Sequence, residues 1–395
     1  MKKVCARKTT KADWGRYIMV TLMLFISATP CFFFTLSPGI AYLFFLFVSF
    51  FFFLHSKKEN KLEVSGSSLY ILIFIFVILL NVFIFNPNVT TNKWQGEIVG
   101  ALGAYFFYSS FSFRKFKIIL LDILSFITLL SIIVFLADSI GILPFVRQVQ
   151  IHNVNYIMFF IFNLGWETPF GRMASIWHEP GACQIFLNMV ILLYLDEIKQ
   201  GRLSSAQWKK IIIIVLGVLC TQSTSGYLVL MLMSFYLLYP WIKKMRIYYK
   251  TLLIVIYLFS FAFLLTSDVV RGKLEQDIEE TTSLGVRARD NIACVEMAIT
   301  RPFTGYGINT IEYSKQSYNL DNLTSSNGLL ATCASLGIWW LCLYVYFMIK
   351  ALKKMPLQIP ISFSVLIILL LESNESYIDL PISYWYIVRF LDYKN

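Results

Sequence analysis

The densest polar group in the chain is Gly171-Arg172-Met173-Ala174-Ser175-Ile176-Trp177-His178-Glu179-Pro180-Gly181, which runs straight into an apolar stretch. A guanidinium here can bind an anionic headgroup, and a carboxylate or imidazole beside it can take a proton from a hydroxyl. Pro180 suits the first turn of the helix that follows, where its missing N–H costs nothing. That places Glu179 at the N-cap, where the helix dipole favours a negative charge. The same spacing also suits a structural role, with Glu179 as a cap and Arg172 as a surface anchor.

A second group is Arg287, Arg289 and Arg301, three guanidinium groups able to grip a pyrophosphate bidentately. They lie between residues 267 and 326, a segment with six basic and nine acidic side chains, so solvated loop charge is the competing reading. His152 and His55 stand apart from both groups, and ordinary polar positions suit them. Gly305-x-Gly307 is too short for a phosphate-binding loop and reads as a turn. There is no HExxH, GxSxG, Walker loop or Asp-x-Asp pair, so metal-dependent or nucleotide-dependent chemistry has no sequence support. The seven cysteines form no CxxC pair, and most fall in or beside apolar runs as packing residues.

The elements that must position these residues are membrane helices. The 395-residue chain is 57% hydrophobic and only 14% charged, where a soluble domain carries about 25% charged residues. Apolar spans recur near 17–36, 39–54, 68–85, 96–113, 118–136, 180–195, 211–222, 225–240, 251–266, 327–349 and 357–371, with a short terminal segment near 381–391. This pattern predicts an all-α polytopic membrane protein with about 11–12 transmembrane helices, arranged as a single membrane domain. The first run has a basic leader but no convincing cleavage site, and reads as a retained anchor.

Charge gives the orientation. With the N-terminus in the cytoplasm, 23 of the 34 basic residues fall in cytoplasmic segments and nine outside. The net charge of +11 is thus a topology signal, not a nucleic-acid patch. Two long outer loops follow, at about 137–178 and 267–326. In the first, Ile151 to Trp166 is apolar but interrupted by Asn153, Asn155, Asn163 and Gly165, and reads as an interfacial or re-entrant helix. In the second, Arg287 to Thr300 reads as an amphipathic helix with Ile292, Val295, Ala298 and Ile299 as its apolar face, stopped by Pro302. Glu97 and Asp122 lie close to span ends and no Lys or Arg sits at a span centre, which counts against a coupled transporter.

Several strings carry a family resemblance. Arg172 to Gly181 resembles the R-x-x-G…EPG segment of the Wzy-type O-antigen and exopolysaccharide polymerases, and Thr221-Gln-Ser-Thr-Ser-Gly226 resembles their T-x-S-x-(S)G span start. Arg287 with Pro302-Phe-Thr-Gly305-Tyr-Gly307 resembles their outer-loop R…P-x-x-G-x-G segment. Ser326-Asn327-Gly328-Leu329-Leu330, then Leu336-Gly337-Ile338, resembles the H-N-x-x-L…x-G-I helix entry. Two positions depart from the pattern: Ser175 replaces a Gly, and Ser326 stands where the related O-antigen ligases above all have His.

The resemblance implies a GT-C-like, all-helical glycosyltransferase at the periplasmic face of the bacterial inner membrane. It would join undecaprenyl-pyrophosphate-linked O-antigen repeat units without a metal or other cofactor. It implies Glu179 as catalytic base with His178 second, and Arg172 and Arg287 as ligands of the pyrophosphates. Arg289, Arg301, Asn327 and His152 would position substrate. Expected partners are the lipid-linked oligosaccharides, the bilayer and a chain-length regulator protein, with no nucleic acid. The alternatives are an O-antigen ligase, a lipid-linked oligosaccharide flippase or other transporter, and a structural membrane scaffold.

Overall fold

The computed structural model describes residues 11–27, 38–56, 66–88, 93–143, 146–151, 154–165, 172–249, 251–252, 255, 283–308, 310, 313, 316, 327–355, 358–373, 384 and 387. The predicted spans 251–266 and 381–391 lie almost wholly outside these residues. The described chain is helical apart from one small sheet, and forms an all-α polytopic membrane protein. Its helices are α1 (Lys11–Ile26), α2 (Pro38–Ser56), α3 (Gly66–Leu80, continued by a π turn Asn81–Phe85), α4 (Lys93–Ser109) and α5 (Phe113–Ser139). After the sheet come α6 (Pro180–Lys199), α7 (Ser205–Thr221), α8 (Thr224–Lys244), α9 (Ser283–Thr300), α10 (Gly328–Leu336), α11 (Ile338–Leu352) and α12 (Ile361–Ser373).

Among the described residues, four helices are long and apolar enough to cross a bilayer: Ser67–Phe85, Phe113–Ser139, Pro180–Lys199 and Thr224–Lys244. Shorter apolar helices accompany them at Trp14–Ile26, Gly39–His55, Ile338–Leu352 and Ile361–Ser373. Helix α6 is the central post. Every residue from Ala182 to Asp196 is buried, and α5, α7, α8 and α12 pack around it. A helix apolar on all sides belongs inside such a bundle.

Charged pairs lock one end of the bundle. Lys117 near the start of α5 bonds Glu197 near the end of α6. Lys210, early in α7, bonds Asp122 at 2.6 Å, and Tyr17 of α1 donates to the same carboxylate at 2.6 Å. Arg202 in the α6–α7 turn bonds the buried Asp196 at 2.9 Å. These pairs set α5 antiparallel to α6 and α6 antiparallel to α7. The predicted span 211–222 proves longer, because Ser204 and Gln207 form a reciprocal capping box that starts α7 at Ser205.

Three sequence expectations need correction. The helix expected over Ile151–Trp166 is instead an antiparallel sheet of β1 (Arg147–Ile151), β2 (Val154–Phe159) and β3 (Phe162–Asn163), in the order β1-β2-β3. Val154, Tyr156, Ile157 and Phe159 are β-branched or aromatic, types that suit a strand once a partner strand is there to pair with. The single span expected over 327–349 is broken into α10 and α11 at Gly337, whose φ of +94° no helix contains. Helix α9 forms as expected, but its inward face is Ala293, Cys294, Met297 and Ala298, while Ile292, Val295 and Ile299 point outward.

Candidate active site at the head of the central helix

The segment Arg172–Glu179 is laid over the bundle and ends at the head of α6. Glu179 has extended backbone (φ −153°, ψ 162°) and is the N-cap, with Pro180 in the first turn as the sequence required. Its side chain makes no capping hydrogen bond. The carboxylate instead turns to His178, whose Nε2 lies 3.2 Å from Oε1. Both side chains keep access to solvent, 36% exposed for His178 and 24% for Glu179. Tyr156 of β2 lies close enough that burial, and then the Glu179 charge, push its phenol above the usual range. It is therefore a protonated donor at neutral pH beside a carboxylate.

Asn163 holds this segment in place. Its Nδ2 donates to the carbonyls of Trp177 and His178 at 2.9 and 2.8 Å, and its Oδ1 accepts the Gly165 N–H at 2.8 Å. Its own N–H donates to the Ser175 carbonyl at 2.7 Å. Trp177 is fully buried and stacks on Phe186 of α6 at 4.5 Å. Ser175, the residue standing in for the family's Gly, has φ +60°, and its hydroxyl meets Ser131 of α5 at 2.6 Å. That explains why glycine suits the position.

Arg172 lies on the same segment, half-buried, and with Asn163, Ser175, Phe162 and Asp138 it lines a small pocket beside α5. Its positive charge also reaches Tyr227 of α8. The neighbouring Met173 N–H donates to the Cys220 carbonyl at 3.0 Å, which ties the segment to the α7–α8 junction. That junction is the Thr221–Gly226 string. Gln222 takes a left-handed conformation (φ +47°) between the two helices, and Gly226 lies flat against Gln184 of α6. The first two family-like strings therefore meet at one end of α6.

The other two strings meet elsewhere. The amides of Tyr306 and Gly307 donate to the carbonyls of Ala334 and Ser335, both at 2.9 Å, and Ile338 N–H donates to the Pro302 carbonyl at 2.8 Å. Gly305 has φ +59°, and a Cβ there would lie 2.2 Å from the Ser335 oxygen. The Pro302–Gly307 turn is thus spliced backbone to backbone into the α10–α11 break. Those amides are consumed by the protein, so the Gly-x-Gly is a turn, as the sequence suggested. Asn81 donates to the Thr304 and Ser335 carbonyls at 2.7 and 3.2 Å, and Asn86 to Thr304 at 3.3 Å.

Arg301 follows directly on α9, with its guanidinium over the Tyr306 ring at 4.3 Å. Arg289 is half-buried on α9. Arg287 belongs to the same helix, but its side chain lies outside the described residues, as does all of His152. Asn327 is the N-cap of α10, its side chain accepting from Leu330 N–H at 3.1 Å. The structure so brings Arg172, His178 and Glu179 onto one segment, and Arg289, Arg301 and Asn327 around the α9–α10 pair. Sequence reasoning missed Tyr156, Asn163 and Asn81. An Asn in an otherwise apolar run was the available signal for the last two, since a buried amide requires partners.

No curated protein and no solved structure matches the chain. Residues 211–345 match the family model described as O-antigen ligase. The match takes in the Thr221–Gly226 junction, α9 with its arginines, the Pro302–Gly307 turn and the α10–α11 break, and leaves out Arg172–Gly181. It supports a place for this chain in the O-antigen ligase/polymerase superfamily, whose members are enzymes acting on lipid-linked glycans.

Proposed function

We propose that the protein is a polysaccharide polymerase that joins undecaprenyl-pyrophosphate-linked repeat units at the periplasmic face of the inner membrane. The observation that carries this reading is the His178–Glu179 pair, 3.2 Å apart and open to solvent at the N-terminal end of a buried helix, with Arg172 on the same segment. In the reaction the acceptor hydroxyl loses its proton to Glu179, directly or through His178. Its oxygen then bonds the anomeric carbon of the donor as the bond to the pyrophosphate oxygen breaks. The charge that develops on the leaving pyrophosphate is met by Arg172 and Arg287, with Arg289, Arg301, Asn327 and His152 positioning the glycans. The leaving group is already activated, so a metal ion has no necessary task. The lopsided placement of basic residues supports an N-terminus in the cytoplasm and the site outside.

An O-antigen ligase, moving finished glycan onto lipid A-core, is the second reading. The description of the matched family favours it, while Ser326 at the family's histidine position favours the polymerase. The lipopolysaccharide ladder of a strain lacking this protein separates them. A single repeat on core supports the polymerase, no repeat on core supports the ligase, and an unchanged ladder rejects both.

A further inference from the structure

Helix α9 buries only one side. Asp290, Ala293, Cys294, Met297 and Ala298 face the protein, where Cys294 and Met297 pack with Tyr306 and Ala334. At 100° per residue, Ile292, Val295 and Ile299 fall within an arc of about 60° on the other side. Ile299 is 65% exposed, and Phe303 just past the helix end is 75% exposed. Glu296, Arg289 and Thr300 follow on the next strip of the same face. In a loop facing water this stripe would be an apolar patch with no partner.

Two membrane helices measure how deep it lies. Asn81 bonds the Thr304 carbonyl of the Pro302–Gly307 turn and directly follows the 15-residue α3, which puts the turn about 22 Å along that helix at 1.5 Å per residue. Ile338 bonds the Pro302 carbonyl and opens the 15-residue α11, which again gives about 22 Å from its far end. Both measures start from lysine-flanked ends, Lys57, Lys58 and Lys61 before α3, and Lys350, Lys353 and Lys354 at the close of α11. The hydrocarbon core is about 30 Å thick, so each places the turn about 8 Å short of the opposite boundary. Tilt only deepens it. Phe83 and Ile84, on the π turn beside Asn81, are exposed apolar side chains as well. Carbonyls of Ala334 and Ser335, and the amides of Asn81 and Asn86, satisfy the turn's backbone, as hydrocarbon demands of irregular chain at that depth.

We infer that α9 is an embedded amphipathic helix whose Ile292–Val295–Ile299–Phe303 stripe sits among phospholipid acyl chains, in the leaflet remote from the lysine clusters. The adjoining strip with Arg289 then borders lipid, where a lipid-borne headgroup arrives sideways. The seating is independent of which transfer reaction the protein performs. The test is photocrosslinking of the full chain in native membranes, with benzoylphenylalanine replacing Phe303 or, separately, Ile299. Both positions are on the exposed face, so the probe displaces no buried packing. Mass spectrometry should find phospholipid adducts at both positions, at a yield within about threefold of the probe at Phe76, an exposed residue of α3. Adducts to protein only, or none while Phe76 reports lipid, would overturn the inference. So would adducts confined to polyprenyl-linked glycan, which would make the stripe a substrate groove instead.

Discussion

The Arg172–Glu179 segment and the Pro302–Gly307 turn are both irregular stretches at the end of a membrane helix, and both combine asparagine amides with main-chain bonds, yet they do so to different ends. In the first, the Asn163 amide holds the Trp177 and His178 carbonyls from the side, and the functional side chains beyond remain accessible. In the second, main-chain amides go directly to main-chain carbonyls of α10, with glycine where no Cβ fits. The first segment rests on the main core through Trp177, whereas the second closes on the separate cluster of Cys294, Met297, Tyr306 and Ala334. Under the proposed function this is a division of labour. One segment would present groups to a substrate, while the other is a joint that fixes α9 and its arginines against α10 and α11.

That division can be broken most sharply at the joint. Gly305→Ala puts a Cβ 2.2 Å from the Ser335 oxygen at a positive φ. The expected outcome is loss of about 4 kcal/mol or more of stability, read as near-absence of the protein from membrane fractions. Normal accumulation would show that the joint yields, and that the two segments are not held so differently. At the presenting segment the expected effect is on rate. Glu179→Gln should lower glycan transfer by about 10²–10⁴-fold while the protein accumulates normally, since the carboxylate makes no cap bond that Gln would lose. Unchanged ladders from that variant would leave Glu179 a helix-end charge and nothing more.

Asn163→Ala sharpens the comparison from the scaffold side. It leaves the Trp177 and His178 carbonyls and the Gly165 amide without their partner, at a cost of about 3 kcal/mol. Both the melting temperature and the transfer rate should fall, whereas Glu179→Gln moves the rate alone. Ser175→Gly should be the mildest change. It relieves a left-handed serine but removes the Ser131 bond, two terms of about 1 kcal/mol each that offset one another. A thermal melt within about 2 °C of the parent checks it.

Much of the candidate site was legible because its signals are local. Pro180 after Glu179 marks a helix start, and Pro302 with two glycines marks a stop and a turn, whatever lies around them. What sequence reading misjudged is non-local. The β1–β2–β3 sheet exists through pairings such as Arg147 with Met158, and its apolar residues carry no helical or strand signal strong enough to decide alone. Asn81 reaches Thr304 across 223 positions of the chain, so only the fold reveals its partner.

The amino-acid sequence by itself determined that this chain lives in a membrane, roughly where most of its apolar helices lie, and that Glu179 stands at the head of one of them. Hydropathy, proline and capping chemistry act within a few residues, so no tertiary information was needed. Only the tertiary structure decided which side of α9 faces inward. In lipid an outward isoleucine costs no more than an inward one, so small side chains that allow close packing, Ala293 and Ala298 beside Cys294, take the protein side. The same structure decided that Asn163 serves the His178–Glu179 pair while Asn81 serves the joint. A buried amide must find its partners wherever the folded backbone leaves a carbonyl open.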